Sequence, residues 1–142
     1  MTHLSGQCYC GTCRYTIAAA PRGVSHCHCT MCRRLHGSAF TTWLTVPADK
    51  FSLSADEGDL RAFAVSSRTT KYFCVRCGTT LYHVTRGYEG VVGLLMGTLS
   101  TPVSARPTGH YFYSDRAHWA AAPRDRLLPM FGGASGFEPL DP

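Results

Sequence analysis

The sequence predicts a mainly β fold: a single domain of several small, twisted antiparallel sheets, pinned at the ends of its strands by two metal sites. Three observations predict it. Short runs rich in β-branched and aromatic residues recur along the chain, with Gly or Pro between most of them. No window of about eleven residues or more carries helical periodicity. Seven of the eight cysteines gather in three clusters between these runs.

The expected strands follow in order. Arg14–Ile17 alternates polar and apolar residues, and 39–46 and 60–65 are rich in β-branched, aromatic and aliphatic side chains. Residues 72–73 and 79–84 flank the third cysteine cluster, Val91–Leu95 is almost wholly aliphatic, and 110–113 is aromatic. Gly23, Gly37, Pro47, Gly58, Gly78, Gly87, Gly90 and Pro102 mark the turns. Thr30–His36 is expected as a helical turn around the second cluster, and 116–121 as another. The domain is expected to run over 1–130. The Gly- and Pro-rich tail, 131–142, is expected to lie on the surface or fray.

A chain of 142 residues, 44% hydrophobic and 16% charged, suits one packed core and not wholesale disorder. Its longest uncharged apolar stretch, residues 91–99, falls short of the ~20 residues a membrane helix needs. The opening residues MTHLSGQCYCG carry no cationic segment followed by an apolar run. A cytoplasmic, reducing setting is therefore expected, where cysteines serve metals or catalysis before disulfides. The net charge of +5 rests on scattered arginines, with Arg33–Arg34 the one adjacent pair. Seven thiolates on two dications would remove about three units of it. No dedicated nucleic-acid surface is expected, and pairing into a homodimer is left open.

The clusters are Cys8-Tyr-Cys10, Cys27-His-Cys29-Thr-Met-Cys32 and Cys74-Val-Arg-Cys77. Zinc takes about four soft ligands in a tetrahedron. A C-x-x-C turn aims two sulfurs at one point, and a C-x-C pair on a strand puts both on one face. Seven sulfurs divide naturally into four and three. Cys8, Cys10, Cys74 and Cys77 would close a structural site, whereas Cys27, Cys29 and Cys32 would leave a position for water or substrate. A histidine (His26, His28 or His36) closing the second site is the alternative. Cys13 reads as a buried, inert thiol.

These residues resemble the glutathione-dependent formaldehyde-activating enzymes, whose domain is shared with centromere protein V. The resemblance runs through Gly6-Gln-Cys8-Tyr-Cys10-Gly11 and Arg14-Tyr15, then Cys27-His28-Cys29-x-x-Cys32-Arg33-Arg34 with Gly37-Ser38. It continues through Pro47, Phe51, Phe73-Cys74-x-x-Cys77-Gly78-Thr79, Leu81-Tyr82 and Gly97-Thr98-Leu99 to Pro107, His110 and Trp119. It implies a β-tent-like fold of small sheets and two zinc ions per chain. By motif position, the structural zinc falls to Cys8, Cys10, Cys74 and Cys77, and the catalytic one to Cys27, Cys29 and Cys32. The activity it implies joins a glutathione-like thiol to formaldehyde, formally a carbon–sulfur lyase in reverse.

On that chemistry, a small-molecule thiol and an aldehyde are the expected partners. His28 or His36 would relay a proton to the new alkoxide. Arg33 or Arg34 would clamp a substrate carboxylate. The competing reading is a non-catalytic zinc module that binds glutathione, a peptide or nucleic acid.

Overall fold

The structure, a computed structural model, describes residues 3–121 and 128–141. Among them the strands are β1 (Leu4–Gln7), β2 (Arg14–Ile17), β3 (Gly23–Cys27), β4 (Thr41–Pro47), β5 (Phe51–Ser54) and β6 (Leu60–Ala64). There follow β7 (Thr69–Cys74), β8 (Thr80–Thr85), β9 (Val91–Leu95), β10 (His110–Tyr111), β11 (Phe131–Gly132) and β12 (Glu138–Pro139). The single α-helix among the described residues, α1, is Thr30–His36. The mainly β expectation is met. No helix among the described residues is long and apolar enough to cross a membrane.

The chain divides into two compact units. The first comprises Met1–Arg22 and Leu44–Ser104. Its smaller sheet runs β1-β2-β5, antiparallel throughout. β2 alternates exposed Arg14 and Thr16 with buried Tyr15 and Ile17, the period that a sheet with one dry face demands. The longer sheet of this unit runs β4-β9-β8-β7-β6. Leu44, Val46, Leu81 and Leu94 are buried along it. A ladder of rings, Tyr15 to Phe51 to Tyr82 to Tyr72, packs in this unit, ending in a parallel stack of the two tyrosines 4.5 Å apart.

The second unit comprises Gly23–Trp43 and Ala105–Pro142. Here β3 pairs with β10 in parallel, His26 opposite His110 and Tyr111 opposite Cys27. The arrangement was expected to be mainly antiparallel; this pair is parallel. A parallel partner must come from a distant part of the chain, which local patterning does not reveal. Val24, His28, His110, Tyr113 and Ala117 form the buried interior.

β2, β9 and α1 take the expected bounds. β1, β3 and β5 are additional: each is four or five residues containing Gly or Ser, too short and mixed to register as a β run. The helical turn expected at 116–121 is reduced to one hydrogen-bonded turn, the Ala120 N–H donating to the Ala117 carbonyl, and a 3₁₀ turn occupies Tyr113–Asp115. Residues 131–132 and 138–139 of the tail form an antiparallel pair. Phe131 stacks on Tyr111 with ring centres 4.9 Å apart.

Candidate metal centres

In the first unit, the loop between β1 and β2 closes on itself. The Cys8 N–H donates to the Cys13 carbonyl and the Gly11 N–H to the Cys8 carbonyl. β7 ends at Cys74, whose carbonyl accepts from the Gly78 N–H at 2.8 Å. Gly78 sits at φ 78°, a left-handed turn that costs glycine nothing and brings Cys77 back over Cys74. The Tyr9 N–H donates to the Thr79 hydroxyl at 3.1 Å, tying the two loops together. The sulfurs of Cys8, Cys10, Cys74 and Cys77 consequently lie within 4.8 Å of one another.

Such crowding is poor company for thiolates alone. Burial pushes the Cys74 thiol up to about 12. Burial opposes ionisation of Cys77 as well, yet the Thr79 hydroxyl and the N–H groups of Cys10 and Thr79 bring it down to about 5. One sulfur is thus prepared as an anion while its neighbour keeps its proton, and a dication resolves the conflict for all four. The donor set fits zinc.

Cys13 stays outside this set. It is fully buried, its N–H donates to Cys8 Sγ at 3.3 Å, and its thiol donates to the Asp59 carbonyl. Burial raises its pKa, so it remains a thiol. Asp59, also buried, receives Arg76 Nε on Oδ1 at 3.0 Å, and its carbonyl accepts the Val75 N–H. Asp59 thereby holds two residues inside the Cys74–Cys77 turn. No sequence signal singles it out.

In the second unit, Cys27 ends β3 and Cys29 caps α1, its sulfur accepting the Cys32 N–H at 3.3 Å. Cys32 is buried on the first turn of the helix. The three sulfurs lie within 4.8 Å of one another, and no His, Asp or other Cys among the described residues joins them. Nor does any Glu. The histidine-closed alternative therefore finds no ligand there. Hydrogen bonding of the Cys27 thiol to Cys29 and Cys32, with burial adding, holds its proton on. Three sulfurs this close ionise together only around a cation.

His28 lies between two of these cysteines, yet its ring is 4% exposed. Alternation along extended backbone sends it to the side opposite Cys27 and Cys29. There it shares a 2.9 Å hydrogen bond with His110 and meets Tyr113 edge-on, 5.0 Å between centres. Burial, then the charge of His110, lowers its pKa to about 4, so the ring is neutral near pH 7. His28, which with His36 was a candidate proton relay, is packed inside the unit. His26 bonds Thr42 Oγ1 and stacks on His110, and His36 packs edge-on against Trp43. On α1, Arg33 Nη1 donates to the Asp115 carbonyl at 2.6 Å, while its buried Nε has no partner within the described residues. Arg34 is exposed.

The family model of the glutathione-dependent formaldehyde-activating enzymes matches residues 3–115. The chain belongs to this family. Both cysteine sets fall within the matched segment, and both could hold metal ions. A crystal structure of a Rhodobacter sphaeroides protein is similar in fold, with a TM-score of 0.57 at 18% identity. The similarity covers 70% of this chain and 91% of that one. Among curated proteins no match is found.

Proposed function

We propose that this member of the glutathione-dependent formaldehyde-activating family is a zinc enzyme that adds a glutathione-like thiol to a small aldehyde such as formaldehyde. The observation that carries the reading is the inequality of the two centres. Four sulfurs converge in the first unit and three in the second, with no further protein ligand beside the three among the described residues. Four thiolates saturate a tetrahedral ion and leave it structural; three leave room for a substrate atom. Zinc held by Cys27, Cys29 and Cys32 would supply a Lewis acid that lowers the pKa of an incoming thiol.

The addition is redox-neutral. The thiol sulfur forms a bond to the carbonyl carbon, the π pair moves to oxygen, and the proton released by the thiol ends on that oxygen. Cys27, Cys29 and Cys32 fix where the sulfur is presented, through a strand end and a helix cap that are themselves hydrogen-bonded. Holding both reactants in register removes much of the entropic barrier. Exposed Arg34, or Arg33 beside it, would take a carboxylate of a peptide-like thiol. His28 serves as a positioning residue, bracing the backbone between Cys27 and Cys29 through its bond to His110.

The test follows ¹³C-formaldehyde by NMR in the presence of glutathione and zinc-loaded protein. The expected result is faster exchange between free formaldehyde and the S-hydroxymethyl adduct than in buffer. Thiol binding without any acceleration would select the non-catalytic module.

A further inference from the structure

We propose that the C-terminal hairpin carrying β11 and β12, which lies beyond the family-matched segment, is a positioning element for the three-sulfur centre, acting through His110 and His28. The proposal rests on the reading of Cys27, Cys29 and Cys32 as a metal site. The matched segment ends at residue 115, yet two of the backbone contacts that hold His110 come from residues after it. The His110 N–H donates to the Pro129 carbonyl at 2.9 Å, and Met130 bridges His110 in parallel. On its other edge β10 pairs with β3, and the His110 ring bonds His28 between the two site cysteines. β10 is therefore held from both sides, by the cysteine strand and by the tail.

The next residue but one tightens this. Phe112 has φ 55°, the single described non-glycine residue in the left-handed region. A β-carbon and a phenyl ring make that conformation unfavourable unless the surroundings enforce it. The hairpin does so. The Phe112 N–H donates to the Gly136 carbonyl at 2.9 Å, and its ring packs over Gly136 and against Phe137. A β-carbon at Gly136 would collide with that ring, and the position itself has φ 79°. The reversal at Phe112 sends the chain into the 3₁₀ turn where Tyr113 meets His28 edge-on and Asp115 receives Arg33. A tail expected to lie on the surface or fray thus sets the residue behind two of the three sulfurs.

The experiment titrates the apo full-length chain with cobalt(II), whose sulfur-to-metal and ligand-field bands report each centre. The four-sulfur centre, in the other unit, is the internal control. In Gly136→Ala the three-sulfur centre should bind cobalt about 10-fold or more weakly and shift its ligand-field bands. The four-sulfur centre should be unchanged. His110→Phe should do the same, and the double variant should be no weaker than either single one, because both act on one linkage. Should Gly136→Ala fail to fold, Phe131→Leu, which loosens the stack on Tyr111, is read in its place. A folded variant with unaltered affinity and bands at the three-sulfur centre overturns the proposal, as do additive losses. Wild-type protein that takes up a single cobalt overturns the metal-site reading and the hairpin's role together. Normal two-cobalt uptake that ignores the hairpin overturns the hairpin's role alone.

Discussion

His28 Nε2 and His110 Nδ1 share a 2.9 Å hydrogen bond between residues 82 positions apart in sequence. Both rings are buried, and His28 stands between two cysteines of the three-sulfur centre. A residue that braces ligands and one that carries protons leave different kinetic traces. The His28 ring also lies against Phe40, 4.9 Å between centres, so His28→Phe keeps a ring against Phe40 and Tyr113 but removes the bond. Turnover of thiol and aldehyde should fall roughly 10- to 100-fold while its pH profile keeps its shape. Loss of one limb of the profile would instead make His28 the proton carrier.

The two centres should separate under mutation. Cys74→Ala removes a buried sulfur from the four-ligand set and should lower metal content by about one ion per chain. It should also destabilise the protein by several kcal/mol, on the order expected when a structural ion loses a ligand. Cys32→Ser should lower metal content similarly, retain most of the unfolding midpoint and abolish thiol-dependent turnover. Metal analysis with thermal melts and the NMR assay distinguishes the two. An unshifted melting temperature for Cys74→Ala would refute its structural role.

Asp59 places a buried carboxylate behind the Cys74–Cys77 turn, with Oδ1 on Arg76 and Oδ2 without a partner among the described residues. Arg76→Ala strands that charge. The expected cost is about 1–3 kcal/mol in urea unfolding. Asp59→Asn should cost less, because it removes the charge together with the need for its partner. The reverse order would mean that the carboxylate is stabilised by something other than Arg76.

Tyr82 provides a test in alkali. Burial first, and then Tyr72 beside it, push its phenol up to about 12 from 10. Below pH 10 the phenol is protonated in the folded and unfolded chain alike, so its contribution does not vary. Between 10 and 12 the unfolded chain releases the proton and the folded one keeps it. Stability should therefore decline across that window by about 2–3 kcal/mol. Tyr82→Phe preserves the stack on Tyr72 and should flatten that part of the curve. An equal decline in both proteins would assign the loss to other groups.

Local chemistry made much of this protein legible from its residues alone. Paired cysteines at spacings of two and three bring sulfurs together whatever surrounds them, so the four-and-three division was readable. Alternation in Arg14–Ile17 and the aliphatic run Val91–Leu95 specified β2 and β9, because strand periodicity is written in neighbouring residues. The tertiary structure alone decided the rest, since each remaining relationship joins residues remote in sequence. β10 beside β3, the inward turn of His28, Asp59 behind Arg76, and the grip of the Gly136 carbonyl on Phe112 depend on which distant segments meet. A buried imidazole or carboxylate takes its role from its partner, and that partner is chosen by packing.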